Sequence, residues 1–353
     1  MGIFDDMLKE RETLFKNEAA LEYSFLPKII PFREAEQRYV ADCIKPLLAG
    51  RSGRNVLVHG PPGVGKTAAV RHLLKELEES DEYSDAAHLI FVNCWQKNTT
   101  YKILLEIADQ VGYAFVQNKN TDDLWQILRQ MLNKKACVFV FDEVDKVEEP
   151  DIIYTIVEDI TKKSIIMITN YKAWLLELDE RVKSRLIPEL LEFASYTEGE
   201  MEQILTQRCA FAFSSLPEQE IIRKAASKSY VLQDVRIGLF LLKEAGLIAE
   251  ERSSKRLLMQ DIDKAVGKLD LFSAKNAEEL GDDLKIVLEL VKKNPNQKIG
   301  DLYKLYAKGG GKGSYKTFQR LISKLDEDRF ITLENFTSKD GNTTIVNKKL
   351  SEF

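Results

Sequence analysis

Gly60-Pro61-Pro62-Gly63-Val64-Gly65-Lys66-Thr67 is a complete G-x-x-x-x-G-K-[ST] motif. It stands where its mechanism needs it. A short apolar run, Asn55-Val56-Leu57-Val58-His59, precedes it, and a helical pattern from Thr67 to Glu79 follows. Glycines let successive backbone N–H groups converge on phosphate oxygens, and a helix N-terminus adds partial positive charge. The cradle is therefore expected from Pro61, Pro62, Gly63, Val64 and Gly65, closed by the first helical residues Lys66, Thr67 and Ala68. Lys66 is placed to reach the β- and γ-phosphates of ATP, and the Thr67 hydroxyl to bind Mg2+.

Working outward, further apolar runs occur at Leu89–Val92, Ala136–Phe141 and Ser164–Thr169, with helical stretches between them. Uninterrupted apolar runs of this length suit strands buried on both faces, hence a parallel sheet with helical crossovers and an α/β core. The third run ends in Asp142-Glu143, with Asp142 76 residues after Lys66. Asp142 is expected to hold the magnesium shell, and Glu143 to orient and deprotonate the attacking water. The fourth run ends in Thr169-Asn170; a neutral side chain there can place water without competing for metal. Arg181 and Arg185 follow on one helical segment, where either could reach the nucleotide of a neighbouring subunit.

The remainder changes character. Glu200–Ala212, Glu218–Lys228, Asp234–Ala245 and Met259–Gly267 show helical periodicity without strands. Leu271–Asp283 is polar and weakly periodic, a linker. Then come helical stretches Leu284–Lys292, Lys298–Ala307 and Tyr315–Glu327, and two strand-like segments joined through Asp340-Gly341-Asn342, a hairpin signal. Helices followed by a β-hairpin give the winged-helix pattern. The expected domains are 1–195 (lead-in and nucleotide-binding core), 196–270 (helical) and 284–353 (winged helix).

The 353 residues carry a net charge of −5, so any nucleic-acid contact must be a local patch. Residues 296–349 contain eleven Lys/Arg against six Asp/Glu, a net of +5, while the first 270 contain 36 against 44, a net of −8. On the helix starting at Tyr315, Thr317 and Gln319 are placed to read base edges, and Lys316, Arg320 and Lys324 to bind phosphates. Lys339 lies in the wing. The four cysteines, Cys43, Cys94, Cys137 and Cys209, form no CxxC pair, so they are expected reduced and buried. No run suits a membrane span, and the charged N-terminus does not suit a signal peptide. A cytoplasmic protein is the expectation.

Together these motifs resemble the AAA+ ATPases, and within them the archaeal origin-recognition / cell-division-cycle type (Orc/Cdc) replication initiators. Pro31-Phe32-Arg33-Glu34-Ala35-Glu36 resembles the family's Pro-His-Arg-Glu segment ahead of the P-loop helix. Leu178–Arg185 resembles its arginine-finger box, which favours Arg185 as the finger. Phe193–Arg208 resembles the entry to its helical lid. Gln233-Asp234-Val235-Arg236 resembles its sensor-2 segment, with Gln233 where the family usually has Gly. The resemblance implies an AAA+ parallel-sheet core, a lid carrying Arg236 to the γ-phosphate, and a C-terminal winged helix. It also implies an ATP-dependent initiator that binds origin duplex DNA, hydrolyses ATP slowly as a switch, and meets a replicative helicase or paralogous initiator subunits. The family's DNA-contacting insertion before the third strand carries over weakly, since Val116–Thr121 holds a single cation, Lys119. Two other readings fit the same composition: a clamp-loader or transposition-like ATPase that binds DNA without sequence preference, and a signalling or assembly ATPase whose winged helix docks protein.

Overall fold

The computed structural model describes residues 13–80, 86–278, 282–294, 297–311, 313–327, 331–338 and 341–348. The chain forms two compact units. One holds Tyr23–Ile204 with Gln233–Val235; the other holds Met1–Glu22, Leu205–Leu232 and Arg236–Phe353.

The first unit is built on β1 (Val56–His59), β2 (Ala87–Asn93), β3 (Ala136–Asp142), β4 (Lys163–Thr169) and β5 (Glu189–Glu192). They form one parallel sheet in the order β2-β3-β4-β1-β5. Its helices are α1 (Glu34–Leu48), α2 (Lys66–Glu78), α3 (Thr100–Gln110), α4 (Thr121–Leu132), α5 (Asp151–Asp159), α6 (Trp174–Glu177) and α7 (Glu180–Leu186). Every residue of β1 and β3 is buried, which explains their unbroken apolar sequence, whereas the edge strands β2 and β5 show partial exposure. Full burial of a Val, Leu or Phe side chain is worth roughly 1.5–3 kcal/mol. A strand carrying Val138, Phe139, Val140 and Phe141 is thus a firm mount for the acids at its end.

β5 carries no strand signal in its sequence, because Glu-Leu-Leu-Glu has too short an apolar run. It is held instead by its partners. It pairs with β1, and Glu189 accepts from Arg54 Nη1 at 2.7 Å and from the Tyr39 hydroxyl. Between β2 and β3, residues 111–120 form an irregular connection that ends where the Asn120 side chain accepts from Asp123 N at 2.8 Å and starts α4.

The second unit contains α8 (Glu198–Ala212, from Leu205 on), α9 (Gln219–Val231), α10 (Val235–Glu251, from Arg236 on) and α11 (Met259–Glu278). Leu205, Cys209, Ile222, Leu242, Ala245 and Ile262 are among its buried residues. α11 continues to Glu278, so helix occupies the first part of the 271–283 stretch. Residues 13–22, grouped from sequence with the lead-in to the core, find their partners here. Leu14 N donates to Glu250 Oε1 at 2.7 Å, and the Phe15 ring stacks on Phe213 at 5.1 Å. Arg208, buried enough to bring its pKa down to about 10, donates to the carbonyls of Ala20 and Glu22 at 2.5 and 2.6 Å. Residues 1–12 lie outside the described residues.

The same unit ends in α12 (Asp282–Lys293), β6 (Gln297–Lys298), α13 (Ile299–Lys308), α14 (Tyr315–Glu327), β7 (Ile331–Ser338) and β8 (Gly341–Lys348). β7 and β8 form the expected antiparallel hairpin, but Gly341 and Asn342, expected in its turn, pair within β8 opposite Ser338 and Thr337, and the short β6 adds to β8. Leu284, Val287, Leu288 and Val291 of α12 pack with Phe318, Ile322 and Leu325 of α14. This is the winged-helix arrangement. All four cysteines are buried and unpaired.

Candidate nucleotide site

The parallel sheet delivers the site. His59 and Thr169 are opposite one another at the ends of β1 and β4, and Asp142 at the end of β3 is opposite Ile168. Three strand ends therefore bring the glycine loop, the acidic pair and Asn170 together at the carboxyl end of the sheet, the usual ligand position in α/β folds.

The loop needs its glycines for two reasons. Gly63 and Gly65 have φ of +79° and +86°, the left-handed region. A Cβ on Gly63 would lie 2.1 Å from Asp234 Oδ1, and one on Gly65 would lie 2.8 Å from the Tyr196 hydroxyl. Lys66 opens α2 and is buried. Its Nζ donates to the carbonyls of Gly60 and Pro61 and to Asn170 Oδ1, each at 2.7 Å. The Thr67 hydroxyl is 3.0 and 3.1 Å from the two carboxylate oxygens of Asp142. Burial pushes the Asp142 pKa above its ordinary value, opposed by the Thr67 hydrogen bond and by Arg71 and Lys66. Burial also lowers the His59 pKa, helped by Lys172.

An ammonium, a hydroxyl and a carboxylate thus converge beside a backbone cradle that no side chain could share. The oxygen donors suit a hard divalent cation and the ammonium suits phosphate, so the residues fit a magnesium nucleotide. Glu143 follows directly on Asp142 in the left-handed conformation, with φ of 55°.

The two arginines of the finger box are exposed on α7. Arg181 pairs with Asp179 at 3.0 Å, and Arg185 with Glu158 at 3.2 Å. Arg236 is exposed in the first turn of α10, in the other compact unit. Lys316, Thr317, Gln319, Arg320 and Lys324 are all exposed on α14, and Lys339 lies outside the described residues. Thr317 is also part of the helix start: its N–H reaches Ser314 Oγ at 3.2 Å, and the two hydroxyls are 3.0 Å apart.

Arg33 is a structural member of the site that motif reading left without a role. It is only 4% exposed. Its Nε donates to Val64 O in the loop at 3.0 Å, its Nη2 to Ala194 O at 2.5 Å, and its Nη1 pairs with Glu36 at 2.8 Å. Its guanidinium lies 4.1 Å from the Tyr196 ring centre. Thr169 Oγ1 also donates to Asp145 Oδ1 at 2.8 Å, a contact whose one signal in the sequence is the extra acid in Asp-Glu-Val-Asp.

Gln233 has φ of 53°, the conformation that Gly would take without strain. Left-handed geometry costs a non-glycine residue about 1–2 kcal/mol, and glycine gives back roughly 0.5–1 through unfolded-state entropy. Gln233→Gly should therefore raise the thermal midpoint by a degree or more on a scanning-calorimetry trace. A lower midpoint would mean that the side chain's own contacts outweigh the strain.

The fold and site define the class: a P-loop ATPase of the AAA kind. A family model described as "AAA domain" matches residues 50–170. The chain is 28% identical over 369 residues to ORC1-type DNA replication protein 2 of Methanosarcina mazei, covering 98% of this chain and 96% of the relative. It is 30% identical over 346 residues to ORC1-type DNA replication protein 1 of Archaeoglobus fulgidus, covering 92% of this chain and 84% of that protein. Among solved structures, the Aeropyrum pernix ORC1 protein in complex with DNA superposes with a TM-score of 0.69 at 25% identity, over 96% of this chain and 95% of that one. The chain belongs to the ORC1-type DNA replication protein family.

Proposed function

We propose that this ATPase binds duplex DNA at a replication origin and uses slow hydrolysis of ATP as a switch. The observation that carries the DNA reading is the surface of α14. Lys316, Arg320 and Lys324 recur at four-residue spacing, opposite the buried stripe of Phe318, Ile322 and Leu325. That gives a cationic ridge on a helix whose other face is fully used in packing. Similarity to a relative solved with DNA supports the reading. Thr317 and Gln319 beside the ridge are the candidates for base contacts, and Lys339 for the wing.

At the nucleotide site, Lys66 and the loop N–H groups hold the phosphates, and Thr67 and Asp142 hold Mg2+. When bound, the metal neutralises charge on the transferred phosphoryl group. Glu143 takes the proton from water and Asn170 places that water. Arg185 serves as the finger on a neighbouring subunit's nucleotide, and Arg236 senses the γ-phosphate. ATP and ADP states would then differ in engagement of DNA, of the helicase or of paralogous initiator subunits, with the protein acting at the nucleoid in the cytoplasm.

The test is fluorescence anisotropy with origin-like and scrambled duplexes across a salt series. If four to six phosphates are engaged, log K falls with log salt at a slope of roughly −4 to −5. The full-length K316A/R320A/K324A variant should flatten that slope by about 3. A slope unchanged in the variant would remove α14 from the interface. Absence of salt-sensitive binding in the wild type would point to a winged helix that docks protein. Equal affinity for both duplexes would favour the reading without sequence preference.

A further inference from the structure

We propose that Asp145 and Thr169 are positioning residues for ATP hydrolysis, tying the acidic turn after β3 to the Asn170 that holds the phosphate-binding lysine. The proposal rests on the reading of Glu143 and Asn170 given above.

Thr169 is the last residue of β4 and is 1% exposed. Its hydroxyl donates to Asp145 Oδ1 at 2.8 Å and accepts from Tyr171 N at 2.9 Å. One buried hydroxyl thus spans the residue between, Asn170, and fixes the turn that presents it. Asn170 Oδ1 in turn accepts from Lys66 Nζ at 2.7 Å. On the other side, Asp145 belongs to the turn Val144–Lys146, where Lys146 N donates to Glu143 O at 2.9 Å. Asp145 is itself steadied by Lys146 Nζ at 3.0 Å.

The result is a connected path from Lys66 through Asn170 and Thr169 to Asp145, ending two residues from Glu143. The residue that takes the proton and the residue that places the water are carried on different strands. They need a fixed separation, because a displacement of about 1 Å at a reacting centre can cost up to about 10²-fold in rate. β3 and β4 are in register up to Asp142 and Ile168, and beyond that point the Thr169–Asp145 bond takes over. A strand-end threonine that merely satisfies its own hydroxyl would give the same bond lengths, so kinetics must separate the two cases.

The experiment uses full-length protein with magnesium ATP under single-turnover conditions, together with binding of a fluorescent ADP. Thr169→Val keeps shape and loses both hydrogen bonds; Asp145→Ala removes the acceptor; Thr169→Ser restores the hydroxyl. The first two should each slow turnover by about 10- to 100-fold with the ADP Kd within about threefold of wild type. Thr169→Ser should recover to within about threefold. Because both residues serve one contact, the double variant should be no slower than the slower single one.

Wild-type turnover in Thr169→Val, or a double variant as slow as the product of the singles, overturns the proposal. So does a parallel loss of ADP affinity. Should Thr169→Val fail to fold, Asp145→Ala and Thr169→Ser decide by the same criteria. Asn170→Ala separates the levels. Normal turnover there removes the reading of Asn170 on which the proposal stands, whereas slow Asn170→Ala with normal Thr169→Val removes the Asp145–Thr169 link alone.

Discussion

Glu143→Gln is expected to cut single-turnover ATP hydrolysis by about 10²- to 10⁴-fold while leaving ATP affinity within about threefold. Glutamine has nearly the same size and can still accept a hydrogen bond from water, but it cannot take the proton. The position makes the expectation sharp. Glu143 follows a fully buried strand and stands in a left-handed backbone conformation, so its side chain departs from a fixed mount in a direction ordinary extended geometry would not give. Asp142, one residue earlier, is already committed to the Thr67 hydroxyl. On the proposed reading, that leaves Asp142 to the metal and Glu143 to the proton. Quench-flow hydrolysis and nucleotide titration on the same preparation check this. Turnover near wild type would hand the base to another group, and lost affinity would mean that Glu143 belongs to the metal shell.

Arg33→Ala should cost the first unit about 3–5 kcal/mol, because it strips a buried guanidinium from two carbonyls and from the half-buried Glu36 carboxylate. Three separate groups depend on that guanidinium: Val64 O in the phosphate loop, Ala194 O after β5, and the Glu36 carboxylate. Stacking on Tyr196 and Phe193 adds to the loss. For a unit of this size the thermal midpoint should fall by roughly 6–20 °C. Arg33→Lys should recover little, because an ammonium cannot serve two carbonyls and a carboxylate from one plane. A midpoint within a few degrees of wild type in Arg33→Ala would show that water replaces the guanidinium.

The core strands and the glycine loop were legible because one physical rule governs each: burial on both faces writes an apolar run, and a phosphate cradle demands glycine at set positions. Lys66, Thr67, Asp142 and Asn170 were therefore identified as candidates from spacing, and the fold brings them together. β5 was illegible because its pairing is decided by β1, far away in sequence, and not by its own four residues. Arg33 and Asp145 were legible as residue types but not as contacts, since their partners at positions 64, 194 and 169 follow only from the topology. Lid-like and winged-helix helices showed their periodicity plainly, while the helix across 271–278 did not, being polar and weakly periodic.

The docking of residues 13–22 sets an order of events during synthesis. These residues leave the ribosome well before the groups that hold them, which follow 188 residues later for Arg208 and 236 later for Glu250. At about 5–20 residues per second, the wait is roughly ten to fifty seconds. All five strands of the parallel sheet lie between Val56 and Glu192, so the sheet has all its residues before those partners have been made. A segment made before the sheet is thus among the last to settle, since its partners are made after the sheet.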